Sequence, residues 1–132
     1  MAKFSKRSRE RLQGVDHRLQ DLALKIVTDH HDCSVIYGLR TEEEQRRLVE
    51  KGLSKTMKSK HLTGEAIDLA PYPIDWENTK RFYYFAGIVL GVAKEMGIDL
   101  RWGGDWDMDN DLDDQKFMDL VHFELKQEEN KQ

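Results

Sequence analysis

The longest amphipathic segment of the sequence limits the architecture more than any other feature. Between Asp75 and Gly97, apolar residues recur at helical spacing and form one broad face, made of Phe82, Phe85, Ala86, Val89, Leu90, Ala93 and Met96. A face of that width must be buried against another element. We expect Asp75 to cap the N-terminus of this helix and Gly97 to end it. The sequence therefore predicts a long helix lying on a second layer.

Two shorter helices are predicted before it. Asp16 is placed to cap a helix with an apolar stripe made of Leu19, Leu22, Ala23, Ile26 and Val27. Thr41 and Glu44 form a capping box, so we expect a helix that opens there and ends near Gly52.

We expect the second layer to be a sheet made of four short strands. Four segments have the composition or the alternation of strands: CSVIY, EAIDLAP, IDLRW and DLVHFEL. In EAIDLAP, Asp68 faces away from Ile67 and Leu69, and in DLVHFEL, His122 and Glu124 face away from the apolar residues. The sequence contains no internal repeat or linker. We expect one α+β domain over residues 1–132, with helices packed on a small, mostly antiparallel sheet.

Composition and charge exclude several classes of function. The chain is 39% hydrophobic and 35% charged, as globular proteins are, and no apolar run approaches the roughly 18 residues of a membrane span. A net charge of −4 argues against nucleic acid as the main partner. The single Cys33, in an apolar stretch, excludes an internal disulfide and a cysteine-rich zinc site. The basic N-terminus lacks the apolar core of a secretory signal, so we expect a cytoplasmic protein.

Two histidines and an aspartate have the residue types of a catalytic metal site. His61 precedes Asp68 by seven residues, and His122 lies on the polar face of the last predicted strand. Catalytic zinc takes three protein ligands with nitrogen and oxygen donors and leaves a fourth position for water. Gly64 allows the tight turn that returns His61 towards the strand of Asp68. The residues alone leave two alternatives to a metal site open. Asp68 could form a buried salt bridge with an arginine, and His122 could be a half-exposed strand residue.

The residues around these positions resemble a known enzyme family. The motif S-x-H-x-x-G-x-A-x-D at 59–68, followed by D-x-x-H-x-E at 119–124, is similar to the zinc D-alanyl-D-alanine carboxypeptidase and dipeptidase superfamily. Within it, the sequence most resembles phage endolysins that act as L-alanyl-D-glutamate peptidases. The likeness extends to residues 4–15 and 36–45 and to the I-D-W and G-G-D-W segments.

This resemblance implies a fold and a reaction. The fold would be that of the Hedgehog and DD-peptidase proteins. The reaction would be hydrolysis of the L-alanyl-D-glutamate bond in peptidoglycan stem peptides by zinc-activated water, which lyses the host cell. We expect peptidoglycan as the partner, a monomer, and a separate holin-like protein that releases the enzyme from the host cytoplasm to the wall.

The resemblance also implies roles for single residues. The zinc ligands would be His61, Asp68 and His122. Asp119 would be the general base, and Arg40 would stabilise negative charge on the scissile carbonyl. Ser59 would bind substrate or keep the shape of its loop. Asp119 could instead be a turn or cap residue before the last strand, and Arg40 could pair with Glu43, Glu44 or the aspartate cluster. Glu124 either orients a ligand or is solvated.

The acidic segment before the last strand is a candidate calcium site. Its carboxylates belong to Asp105, Asp107, Asp109, Asp111, Asp113 and Asp114. Several oxygen ligands from one loop suit Ca²⁺, although Asn110 and Lys116 occupy positions where an EF-hand needs Gly and Glu. Some endolysins of the subgroup carry a similar acidic loop here, which binds Ca²⁺ and controls activity. A solvated polar loop is the alternative.

Other functions stay open at this stage. A D-Ala-D-Ala carboxypeptidase or dipeptidase would use the same metal chemistry with a different pocket. A non-catalytic peptidoglycan-binding module would keep the fold, although it has no use for an open metal site with a base. A Ca²⁺-responsive interaction protein would leave the histidines and Asp68 unexplained.

Overall fold

The computed structural model describes residues 2–53, 57, 59–105 and 119–126. Its helices are α1 (Lys6–Leu12), α2 (His17–Asp29), α3 (Glu42–Glu50) and α4 (Thr79–Glu95), and its strands are β1 (Cys33–Tyr37), β2 (Ala66–Pro71), β3 (Leu100–Gly103) and β4 (Asp119–Leu125). A short 3₁₀ helix, Lys60–Thr63, contains His61, which the sequence predicted to lie in a loop. The predicted α+β class is confirmed.

The described strands form one sheet in the order β1-β2-β4-β3, with every neighbouring pair antiparallel. The central strands β2 and β4 pair so that Asp68 lies directly opposite His122. Opposed residues on antiparallel strands have Cβ atoms about 4.5–5.5 Å apart. The sheet therefore joins the two halves of the sequence motif, which are 54 residues apart in the chain.

The two faces of the central strands have different surroundings. On one face, Ile67, Leu69 and Phe123 are fully buried in the apolar core, where α4 packs on β2, β3 and β4. The opposite face carries Asp68 and His122, which are 6% and 7% exposed. This alternation follows from the strand period of two and agrees with the sequence pattern.

The predicted caps of α2 and α3 are confirmed. The Asp16 carboxylate accepts a hydrogen bond from the Arg18 backbone N–H at 2.9 Å. The Thr41 hydroxyl accepts from the Glu44 backbone N–H at 3.1 Å and donates to the Glu44 carboxylate at 3.0 Å. Each cap satisfies a donor at a helix N-terminus that has no partner within the helix.

The predicted cap of α4 is wrong. The helix starts at Thr79 after Asn78, whose side chain makes no capping hydrogen bond. Asp75 instead accepts from the Glu77 backbone N–H at 3.2 Å and stabilises a turn that precedes the helix. The predicted apolar face is buried at Phe82, Phe85, Ala86, Val89 and Ala93, whereas Met96, at the C-terminal cap, is 39% exposed.

The single thiol of the chain is buried and has a strongly raised pKa. Cys33 is a buried free cysteine, and its burial raises the pKa of the thiol to about 12. Such a thiol is a poor nucleophile at neutral pH. None of the described helices combines the length and the hydropathy that crossing a membrane requires.

The packing predicts a large difference between two neighbouring residues of α4. Phe85 is 1% exposed and Tyr84 is 69% exposed. We expect Phe85→Ala to lower the free energy of unfolding by about 3–5 kcal/mol because it leaves a cavity in the core. Tyr84→Ala, the control, should change it by less than about 0.5 kcal/mol. Urea denaturation measures both values, and equal losses would contradict the described core.

Candidate active site

Three buried side chains meet on the polar face of the central strands. The Oδ1 atom of Asp68 lies 3.1 Å from Nε2 of His61 and 3.1 Å from Nδ1 of His122. The donor atoms of these three residues all lie within 4.8 Å of one another. The structure thus brings together the three residues predicted from the sequence, in an arrangement that could hold a metal ion.

The 3₁₀ helix positions His61 beside the start of β2. The Ser59 hydroxyl caps this helix by accepting from the His61 backbone N–H at 3.2 Å. Gly64 ends it in the left-handed conformation, with φ +77°, and a Cβ there would lie 2.7 Å from the Gly14 carbonyl oxygen. The Arg40 backbone N–H donates to the His61 carbonyl at 2.9 Å. The turn expected at Gly64 is therefore confirmed.

The outer nitrogen of each imidazole faces a hydrogen-bond acceptor. Nδ1 of His61 lies 2.8 Å from the Gly38 carbonyl oxygen, and Nε2 of His122 lies 2.9 Å from Oε1 of Glu124. An acceptor there keeps a hydrogen on the outer nitrogen and turns the other nitrogen inwards. The inner nitrogens of the neutral rings are then acceptors that face the Asp68 carboxylate.

A cluster of acceptors with no donor between them is unfavourable, so this one needs a proton or a cation. Two imidazole nitrogens and a carboxylate oxygen are metal ligands that zinc takes in catalytic sites, whereas Ca²⁺ and Mg²⁺ prefer ligands that are all oxygen. The chemistry of His61, Asp68 and His122 therefore fits a zinc-like ion.

Glu124 is held by three neighbours. Besides His122, its carboxylate accepts from Arg101 Nη2 at 2.8 Å and lies 3.4 Å from Lys60 Nζ. Lys60 also donates to the Leu125 carbonyl and so links the 3₁₀ helix to β4. Burial alone would raise the pKa of Glu124, but the hydrogen bond from His122 and the Arg101 charge lower this pKa to about 2. Glu124 is therefore not solvated: it is buried and orients His122 through a hydrogen bond.

The charges of the cluster shift the pKa values of its members. Burial would lower the pKa of His122, but hydrogen bonds to Asp68 and Glu124 outweigh it and raise this pKa to about 9. Burial would raise the pKa of Asp68, but the hydrogen bond from protonated His122 and the adjoining His61 hold it well below its usual range. A metal ion that enters here must displace the proton of His122.

Asp119 begins β4 and lies opposite Gly103 of β3. A Cβ at position 103 would lie 2.1 Å from the Asp119 carbonyl oxygen, so only glycine allows β3 to approach this closely. Burial and the nearby Asp68 carboxylate raise the pKa of Asp119. A half-buried carboxyl with a raised pKa that lines a cavity has the properties of a general base. Asp119 is the first residue of β4, and its carboxylate also accepts from the Val121 backbone N–H, so the alternative of a turn or cap residue stays open beside that of the base.

Arg40 is held in place on one side of the cluster. Its Nη1 donates to Gln45 Oε1 at 2.7 Å, and its guanidinium lies 5.0 Å from the ring centre of Tyr37. The buried Nε of Arg40 has no hydrogen-bond partner within the described ranges. Among the described residues, Arg40 makes no ion pair with Glu43 or Glu44. Glu43 pairs with Arg47, and the Glu44 carboxylate accepts from the Thr41 hydroxyl.

Sequence reasoning missed the residues that support the site: Gly38, Gln45, Lys60 and Arg101. Gly38 and Gln45 lie in the I-Y-G-L-R-T-x-x-x-Q segment, so the motif contained a signal for both. Arg101 meets Glu124 only because β3 and β4 pair in one register, which the sequence does not reveal.

The acidic segment is described only at its first residue. Asp105 follows β3, where its backbone N–H donates to the Trp102 carbonyl at 3.0 Å in a tight turn. The other candidate calcium ligands lie outside the described residues: Asp107, Asp109, Asp111, Asp113 and Asp114. The calcium site therefore stays a prediction.

Comparison with known proteins identifies sequence relatives. The family model for phage L-alanyl-D-glutamate peptidase matches residues 1–126. The L-alanyl-D-glutamate peptidase of Escherichia phage T5 is 35% identical over 120 residues, which cover 86% of this chain and 88% of that protein. The L-alanyl-D-glutamate peptidase of Listeria phage A118 is 36% identical over 76 residues, which cover 52% of this chain and 24% of that protein.

A solved structure has a similar fold. The crystal structure of the Serratia marcescens L-Ala D-Glu endopeptidase ChiX matches with a TM-score of 0.74 and 32% identity, over 94% of this chain and 90% of that chain. This match supports the fold that the sequence resemblance implied.

The contacts of Glu124 predict a change in metal affinity. We expect Glu124→Gln to weaken Zn²⁺ binding by about 10–100-fold, because an uncharged amide orients the His122 ring less firmly. Competition with a chromophoric chelator measures this affinity. The matched control is Glu42→Gln, which removes an exposed carboxylate paired with Arg46. Equal affinities in wild type and Glu124→Gln would contradict the role of this carboxylate.

The raised pKa of His122 predicts how the stability of the metal-free protein depends on pH. The pKa of His122 is about 9 in the folded protein and 6.5 in the unfolded chain, so protonated His122 stabilises the fold. This contribution to the free energy of unfolding is complete below pH 6.5 and is lost as the pH rises towards 9. We expect the Tm of the metal-free protein to fall over that interval, and to fall less in His122→Gln. Parallel curves for the two proteins would refute this assignment.

Proposed function

Because this chain belongs to the phage L-alanyl-D-glutamate peptidase family, we propose that it is a zinc-dependent endolysin that cleaves the L-alanyl-D-glutamate bond of peptidoglycan stem peptides. The observation that carries the metal requirement is the cluster of His61, Asp68 and His122, whose donor atoms lie within 4.8 Å of one another. The family match over residues 1–126 carries the choice of bond.

Zinc would be held by Nε2 of His61, Oδ1 of Asp68 and Nδ1 of His122, the atoms that face one another in the cluster. When bound, zinc supplies the Lewis acidity that activates water and polarises a carbonyl group. Gly38 and Glu124 hold the outer nitrogens, so both rings are oriented before the ion binds.

Asp119 acts as the general base. Its carboxylate takes a proton from the attacking water and transfers that proton to the amine of D-glutamate as the peptide bond breaks. The raised pKa of Asp119 supports this role, since a carboxylate with a higher pKa is a stronger base.

Arg40 stabilises the negative charge that develops on the carbonyl oxygen of L-alanine. Its guanidinium is held by Gln45 and the ring of Tyr37, so little reorganisation is needed during the reaction. A fixed cation next to a developing oxyanion contributes several kcal/mol in a site that excludes water, on the order of 3 kcal/mol for one donor. Ser59 keeps the shape of the loop that carries His61.

The alternative functions account for fewer observations. A D-Ala-D-Ala carboxypeptidase or dipeptidase would use the same cluster, but the phage T5 and Serratia relatives are named for the L-alanyl-D-glutamate bond. A non-catalytic module would have no use for a buried acceptor cluster beside a carboxyl with a raised pKa.

The sequence resemblance also leads us to propose how the enzyme is deployed. It would act as a monomer with one catalytic domain over residues 1–132 and wait in the host cytoplasm until a separate holin-like protein gives access to the wall. Ca²⁺ in the acidic segment 105–114 would regulate it.

Mass spectrometry of digested peptidoglycan tests the proposed function. Purified peptidoglycan is incubated with the zinc-loaded protein and, as a control, with chelator-treated protein. We expect new D-glutamate amino termini in the first digest and none in the second. Free D-alanine or D-alanyl-D-alanine would instead indicate the carboxypeptidase or dipeptidase activity, and an undigested wall would contradict an enzymatic function.

The proposed role of Asp119 predicts that its replacement lowers kcat and leaves the zinc content unchanged. We expect Asp119→Asn to lower kcat by about 10²–10⁴-fold, because the amide cannot accept the proton of water. Its zinc content, measured by atomic absorption, should equal that of wild type. Asp29→Asn, which removes a surface carboxylate paired with Lys25, serves as the matched control. A wild-type kcat in Asp119→Asn would exclude the residue as the base.

A further inference from the structure

An exposed tryptophan lies on a fixed support next to the proposed active site. Trp76 is 59% exposed, although large apolar side chains are usually covered. Its ring stacks on Phe82, with centroids 5.5 Å apart and planes 17° apart, and Phe82 is only 2% exposed. The indole therefore rests on the core through Phe82 and presents apolar surface to solvent.

The turn that carries Trp76 is anchored by its own hydrogen bonds. The Asp75 carboxylate accepts from the Glu77 backbone N–H at 3.2 Å, and the Asp75 carbonyl accepts from the Asn78 backbone N–H at 3.1 Å. Asp75 thus fixes the turn of the indole instead of capping α4. An aromatic ring on an anchored turn loses little conformational freedom when a ligand binds to it.

A cavity joins this ring to the proposed base. It has a volume of about 200 Å³ and is lined by Trp76, Phe82, Asp119, Leu120 and Val121. A water molecule occupies about 30 Å³ in the liquid, so the cavity has room for a group of several heavy atoms. If Asp119 is the base, it lies beside the scissile bond, and this cavity is then open to a neighbouring group of the substrate.

The charge of the cavity selects one side of the substrate. Among the described residues that line it, Asp119 alone is ionisable, and its charge is negative. A substrate carboxylate in this place would be desolvated and repelled. In a stem peptide, the D-glutamate side of the scissile bond carries free carboxylates, whereas L-alanine is preceded by the neutral lactyl and sugar parts of the muramoyl group. The neutral side therefore fits the apolar cavity.

We propose that Trp76, supported by Phe82, forms a subsite for the muramoyl group attached to L-alanine. This inference rests on the proposed function and deepens it, because it makes the enzyme prefer stem peptides that are still joined to the glycan. Trp76 is then a specificity-determining residue, which contacts the substrate away from the reacting atoms.

The test compares two substrates that share the scissile bond. One is an N-acetylmuramoyl stem peptide, and the other is the same peptide with only an acetyl group on the L-alanine nitrogen, so that neither has a charged amino terminus. We expect wild type to cleave the muramoyl substrate with the higher kcat/KM. Trp76→Ala should lose about tenfold or more of kcat/KM on the muramoyl substrate and much less on the acetyl substrate. Trp76→Phe should restore part of the preference.

Controls separate this inference from the proposed function and from a structural effect. Tyr84→Ala, which removes an exposed aromatic ring from α4, should behave as wild type on both substrates. Calorimetric binding of N-acetylmuramoyl-L-alanine should be weakened by Trp76→Ala and unchanged by Tyr84→Ala. Equal losses on both substrates, or no loss, would overturn the subsite and leave the proposed function intact. Failure of wild type to cut either peptide at L-alanine would overturn both.

Discussion

The contact on which the rest of the site depends is the one between Asp68 Oδ1 and the two imidazole nitrogens, each 3.1 Å away. Burying a carboxylate is costly unless charge or hydrogen bonds compensate for it. The outer hydrogen bonds of His61 and His122 direct acceptor nitrogens at that carboxylate, so a proton or a metal ion must lie between them. The cluster is therefore stable either with a proton on His122 or with a cation in its place.

The fold supplies the rigidity that this arrangement needs. The central strands β2 and β4 pair Asp68 with His122, and the other face of both strands is packed against α4 in the apolar core. Gly103 lets β3 lie close to Asp119, and Lys60 links the 3₁₀ helix to the end of β4. Residues distant in sequence are thus held at fixed positions by regular elements, as catalysis by positioned groups requires.

Local patterns in the sequence were enough for α2, α3, α4 and the four strands, but not for α1 or for the 3₁₀ helix that carries His61. The three central residues were marked as candidates by their types, and the family resemblance implied their role as ligands. Periodicity and capping residues predicted helices and strands because these signals act within a few residues. Contacts that depend on register were not predictable, above all that of Arg101 with Glu124. Asp75 was misjudged because a carboxylate before a helix stabilises a turn as readily as it caps, and here the turn carries Trp76. The support of the indole by Phe82 depends on the packing of α4 and has no signal in the sequence.

We propose that this acceptor cluster binds one zinc ion, and anomalous diffraction at the zinc edge from a crystal of the zinc-loaded protein would test that proposal. We expect a single ion about 2.0–2.1 Å from Nε2 of His61 and from Nδ1 of His122, with Asp68 as the oxygen ligand. The hydrogen bonds to Gly38 and Glu124 should be retained. An ion bound elsewhere, or bound through Nε2 of His122 with Glu124 released, would rule out this ligand set.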